Sequence, residues 1–212
     1  MRCFLIRKRR GSVTTAWVGS IPVFVLFALF VGAIAIAWAS HSSAQVAADA
    51  GALVATKKMD EWIGLELEDE IRNLLGNDFS EEAIEEAFPE DSKLKEALLE
   101  GKPLDDLPID EVLQDLFDGN EQLIREFLKT VFNKHRQELA VAVRDYVKQN
   151  GGDDQGKIII PVHDRVRVEA RTRYQPVIFQ EYFSDTYVEG DGYGPKRLYL
   201  KLLPEKMVEI KY

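Results

Sequence analysis

Cysteine is nearly absent from these 212 residues: Cys3 stands alone, so no disulfide can form within the chain and any folded part must hold by packing. Histidine is almost as scarce. His41, His135 and His163 are far apart and form no HExxH pair, which leaves zinc chemistry without a ligand set. There is no glycine-rich phosphate loop and no nucleophile with a partnered base. The nearest imitation of a calcium loop, starting at Asp118, has Leu123 where the turn requires glycine. Acid pairs such as Glu85-Glu86 and Asp105-Asp106 read as solvated faces. The expectation is therefore a protein that is not an enzyme, needs no cofactor or metal and presents no evident small-molecule site.

Acids are missing from residues 1–40, which carry five basic groups; residues 41–156 hold 28 acids against 12 bases, and residues 157–212 hold 8 against 10. The net charge of −9 thus combines a basic start, an acidic middle and a slightly basic end. With an acidic bulk and no reader motif, nucleic acid is not an expected partner.

What is present first is a run of 23 uncharged residues, Trp17 to Ala39, where about 20 suffice to cross a hydrocarbon core. Trp17 and Trp38 bracket it as interfacial aromatics do, Gly32 lies within it, and Pro22 falls near its first turn, where a missing N–H costs least. Arg2, Arg7, Lys8, Arg9 and Arg10 precede the run, and no Lys or Arg follows until Lys57; this asymmetry predicts a cytoplasmic N-terminus and an exported remainder, anchored in the membrane lipid. The competing reading, a cleavable secretory signal ending near Ala37-Trp38-Ala39, meets an apolar core longer than the usual 7–15 residues.

Beyond the span, QVAADAGALVATKKMD (Gln45 to Asp60) is alanine-rich and free of proline, which predicts that the helix continues outward. Ala47, Ala48, Gly51 and Ala55 recur along one side, where another helix could approach closely; alternatively the alanines are only good helix formers. Arg9-Arg10-Gly11, the span with Ile21-Pro22, and the run Gln45 to Leu53 together resemble the N-terminal region of TadE/TadG-like proteins, minor pilin-like components of the tight-adherence (Flp) pilus. That resemblance covers about a quarter of the chain. It implies other pilin-like subunits and a pilus assembly platform as partners, and Gly11-Ser12 as a processing junction. The fifth residue after Gly11 is Ala16 instead of glutamate, which resembles the uncleaved, TadG-like variety.

Residues 61–150 read as an acidic helical region. Ile63, Leu67, Ile71 and Leu74 form one stripe; Ser80, and then either Asp91 or Ser92, offer caps for short helices ending near Phe88 and Gly101; Ile109 to Phe117 forms another. A long helix is expected from Asn120 to Gln149, with Phe127, Val131 and Tyr146 on its buried face and His135 as a hydrogen-bonded core histidine. Residues 151–156 form a glycine-rich linker.

From Lys157 the period becomes two. Ile158 to Ile160 opens one strand; Val166, Val168 and Ala170 alternate with Arg165, Arg167, Arg171 and Arg173 in the next; Leu198, Leu200 and Leu202 suggest a third; and Met207 to Tyr212 suggests the last. Glu189 to Pro195 reads as a turn. The arginine face is an anion or lipid-headgroup surface, or a solvated sheet face, or one that meets the acidic helices. The organisation expected is α+β: residues 1–16 a basic N-terminus, 17–39 a signal anchor, 40–60 an alanine-rich juxtamembrane helix, then 61–150 and 157–212 as one domain with its small antiparallel sheet packed on the long helix. The functional expectation is a structural or assembly subunit. The alternative is an anchored extracytoplasmic ligand-binding or sensor module with a pocket between that helix and the sheet; an anchored enzyme would need a pKa-perturbed acid pair in a cleft.

Overall fold

A computed structural model describes residues 13–76, 80–104, 107–176, 181, 183 and 185–212. Among these, six α-helices and a four-stranded antiparallel sheet form an α+β chain. The first helix, α1, runs unbroken from Val13 to Leu75. It crosses the boundaries expected at residues 39/40 and 60/61, because nothing in the alanine-rich stretch interrupts the backbone ladder. Its N-terminal part is bare: the most apolar 18-residue window has a mean hydropathy of 2.6 and none of it is buried. By length and composition α1 can cross a membrane. A soluble core helix of equal hydropathy would be covered.

From Ala44 onward one side of α1 is buried. Ala44, Ala47, Ala48, Ala52, Ala55, Met59 and Ile63 lie wholly inside, and Leu67, Ile71 and Leu75 continue the line. The four-residue step carries the stripe to Leu75 and leaves Leu74, the expected member, 51% exposed. Gly76, at φ +69°, stops the helix in a conformation that glycine adopts without strain.

Three short helices pack beside this end: α2 (Glu81–Ala87), α3 (Lys93–Leu99) and α4 (Ile109–Leu116). The expected caps are used, since the Ser80 hydroxyl accepts the Ala83 N–H and Ser92 accepts that of Lys95. The long helix expected over 120–149 is instead two, α5 (Glu121–Lys134) and α6 (Arg136–Gln149), broken at His135 with φ −99° and ψ 10°. The break lets each half present its own apolar face. Ile124, Leu128 and Val131 are buried from α5, and Leu139, Val143 and Val147 from α6, while Tyr146 is turned out at 46% exposure.

The sheet order is β3-β2-β1-β4, with β1 at Lys157–Val162, β2 at Arg165–Arg173, β3 at Tyr187–Tyr193 and β4 at Val208–Lys211. Two expectations are corrected. The glycine-rich segment is a strand, β3, and the leucine alternation at 198–202 is a 3-10 helix. The sheet also packs chiefly on α1, through β2 and β3, and less on α6.

Candidate functional site: the long N-terminal helix and its clamps

Close approach governs the seam between α1 and the sheet. A Cβ added at Gly190 would come within 2.5 Å of the Ala44 carbonyl carbon and the Gln45 nitrogen, and one at Gly192 would collide with the Ala48 carbonyl and the Asp49 nitrogen. Both obstacles are backbone. Gly194 stands against Thr56, whose buried hydroxyl donates to the Ala52 carbonyl at 2.9 Å. Alternate glycines on β3 therefore lie in the groove left by methyl side chains on α1, and bulk on either side would separate the two layers. On the neighbouring face Gly51 meets Val147, Val143 and Val168, with a hypothetical Cβ at 2.8 Å from Val147 Cγ2.

The four small residues expected to receive a partner helix are thus buried within their own chain. Ala47, Ala48, Gly51 and Ala55 have no surface left, because β2, β3 and α6 fill the approach they permit. Trp17, Gly32 and Trp38 remain on the bare part of α1, with nothing near Gly32 and both tryptophans turned outward. Pro22 is well inside the helix, not in a first turn, so the Val18 carbonyl loses its helical donor there. Arg2, Arg7, Lys8, Arg9, Arg10, Gly11 and Ser12 lie outside the described residues.

Above the seam a polar clamp holds α1. Arg197 donates from Nε to both oxygens of Asp60, at 3.0 and 2.9 Å, and from Nη2 to Oδ2 at 2.5 Å; the buried Tyr199 hydroxyl donates to Asp60 Oδ1 at 2.7 Å. Burial, followed by the charge on Asp60, pushes the Tyr199 phenol well above its ordinary pKa. Asp110 completes the group. Burial raises its pKa, although it accepts the Tyr199 backbone N–H and faces Arg197. A second clamp joins α1 to the α5–α6 break: His135 stacks on Trp62 at 4.6 Å and 8°, with Nε2 at 3.3 Å from Glu66 and Nδ1 at 3.2 Å from Glu138. His135 is hydrogen-bonded and only 16% exposed, as expected of a structural histidine. The Lys134 hydrogen bond holds the Glu66 carboxyl below its ordinary pKa against the opposing effect of burial, and His135 adds to it.

Arginines on this face of β2 find partners locally, although Arg167 Nε is buried without one. Arg167 donates from Nη2 to both Asp191 oxygens at 3.0 and 2.9 Å, while Arg171 bonds Asp153 and Gln155 and stands 4.1 Å over the Tyr187 ring. Burial alone would raise Asp153, yet the Asp154 N–H and Arg171 together hold it below its ordinary pKa. Among the described residues the partners of this arginine face are thus in β3 and the linker, not in the acidic helices.

Several concavities flank these elements, and two bear on the sensor reading. One, of about 520 Å³, lies between α1, α6 and the Pro195–Arg197 turn, lined by Leu53, Lys57, Tyr146 and Asn150 among others. The other, of about 570 Å³, sits on the sheet around Lys157, Glu169, Lys211 and Tyr212. Neither occupies the place between a 120–149 helix and the sheet that the sensor reading requires. Comparison of the chain with protein-family models, curated proteins and solved structures finds no match. Asp60, Arg197 and Tyr199 were not legible as a unit, being up to 139 positions apart; the alternate glycines 190, 192 and 194 were the visible trace of the seam.

Proposed function

We propose that this protein is a membrane-anchored structural subunit of pilin-like type, in the manner that its N-terminal region suggests for a tight-adherence (Flp) pilus or related secretion system. The observation that carries the reading is the continuity of α1: one helix has an apolar, uncovered half and a half that is the spine of a packed domain. Such a subunit places its domain rigidly relative to the membrane. Its bare half offers a surface on which identical or related helices can bundle.

Burial of the small-residue stripe moves the expected lateral contact. Phe24, Val31 and Trp38 recur at seven-residue spacing, which returns to nearly one face of a helix, and all three are exposed. Leu26, Leu29 and Ala33 lie on the opposite side, beside Tyr174 and Phe183. Partner helices are therefore assigned to the Phe24–Val31–Trp38 face. The basic N-terminus favours a cytoplasmic start and an exported domain.

In a Cys3→Ser background, Phe24→Cys and Val31→Cys should give disulfide-linked dimers or ladders on oxidation in native membranes, and Leu29→Cys far less. Equal or absent crosslinking at all three positions would sink the lateral assembly. The anchored sensor reading retains one favourable observation, the 520 Å³ groove with Lys57 and Asn150 at its rim. Asp60 and Arg197, its strongest polar groups, already satisfy each other.

A further inference from the structure

The sheet does not stop where the apolar run begins. β3 climbs alongside α1: the Glu189 carbonyl meets His41 Nδ1 at 3.1 Å, Gly190 meets Ala44 and Gly192 meets Ala48. In the other direction Tyr174, Pro176 and Phe183, between β2 and β3, lie beside the bare helix. The Tyr174 hydroxyl donates to the Ala33 carbonyl at 3.5 Å, and Tyr174, Pro176 and Phe183 enclose a hollow of about 520 Å³ against Leu26, Leu29 and Phe30. Tyr174 and Phe183 meet edge to face, with centroids 5.7 Å apart.

At about 1.5 Å per residue, Ala33 lies roughly 8 Å and Leu26 roughly 18 Å below Trp38 along the helix. A hydrocarbon core of about 30 Å occupies some 20 residues, so every placement of the slab within the uncharged run Trp17–Ala39 includes Leu26 to Ala33. Whatever packs there meets lipid. We infer that Tyr174, Pro176 and Phe183, between β2 and β3, are immersed in the leaflet on the domain's side, with acyl chains against the apolar hollow that Phe183 and α1 form, giving the chain a second membrane contact besides its span.

The side chains suit that medium. Phe183 is 39% exposed on the surface of the hollow, and the Tyr174 hydroxyl, costly in hydrocarbon without a partner, has the Ala33 carbonyl. Arg173 and Asp185 are exposed near the strand ends, at the level where headgroups and water begin. Two contacts, the helix and the group of Tyr174, Pro176 and Phe183, fix the rotation of the domain about the α1 axis. The side opposite, with Phe24 and Val31, stays free.

The inference rests on α1 spanning the bilayer, and the experiment separates the two. The full chain with Cys3→Ser and Phe183→Cys carries an environment-sensitive fluorophore and is reconstituted into phosphatidylcholine vesicles. Quenching is read from nitroxide on the acyl chains and from aqueous iodide, with Val25→Cys, exposed and off both the hollow and the Phe24–Val31–Trp38 face, and Lys201→Cys as references. Gln175→Cys, exposed beside Tyr174, repeats the measurement without removing an apolar contact. At 183 and 175 the acyl-chain nitroxide should quench nearly as strongly as at 25, and iodide several-fold less than at 201. Iodide quenching equal to that at 201, or shielding from both quenchers, overturns the inference while quenching at 25 upholds the span. Loss of lipid quenching at 25 as well overturns both.

Discussion

A methyl group decides whether α1 and β3 can lie together. Gly192→Ala drives a Cβ into the backbone of Ala48 and Asp49, which cannot yield as a side-chain tip would. A cost at or above the usual 1–3 kcal/mol of overpacking follows, visible as a lowered midpoint in thermal unfolding of the detergent-solubilised chain. Gly64 on the same helix has nothing within 4 Å of a new Cβ, so Gly64→Ala should gain about 0.5–1 kcal/mol from helix propensity. Opposite signs from the same change would show that the seam, not glycine content, sets stability. Asp110 yields a pH prediction. Its folded-state pKa is raised, so the stability linked to it is present at low pH and is lost as pH rises through that value. Asp110→Asn should therefore be more stable than the parent chain at neutral pH, with the difference closing as pH falls toward the ordinary aspartate range. Denaturant midpoints measured across pH would reveal it.

Elements whose signals are local were legible. Ser80 announced α2, the Asp91-Ser92 pair announced α3, the isoleucine run at 158–160 announced β1, the period of two announced β2, and Met207 to Tyr212 gave β4. Ser92 also shows where locality ends. Its hydroxyl donates to Asp115 Oδ2 at 2.9 Å, and the same oxygen accepts the Leu94 N–H at 2.9 Å, so α4 helps cap α3. Asp115→Ala leaves both donors without that acceptor and should cost about 1–3 kcal/mol in urea unfolding. Failures came where distant packing overrode a local pattern. His135 breaks an otherwise helical run because Trp62 and Glu66 of α1 hold its ring. Gly190 to Gly194 looked like a turn, since glycine disfavours strands; the α1 backbone supplies the neighbour that makes bare positions an advantage.

At the scale of the whole molecule, α1 belongs to two environments at once. Removing residues 1–39 takes away bare apolar surface and leaves the buried line from Ala44 to Leu75 intact, so residues 40–212 should unfold cooperatively when followed by circular dichroism. Removing residues 1–60 deletes the helix on which β2 and β3 lie, and the remaining chain should show no cooperative transition. The same division separates sequence from structure. The sequence by itself determined an apolar run long enough to span a membrane, an α+β order of elements and an alanine-rich helix after the run, because hydropathy, propensity and period act over neighbouring residues. Only the tertiary structure decided that Ala47, Ala48, Gly51 and Ala55 face their own sheet, that Arg197 and Tyr199 clamp Asp60, and that Tyr174 reaches down to Ala33. A stripe of small side chains specifies that something may come close. Which surface does so depends on the geometry of strands more than a hundred residues away.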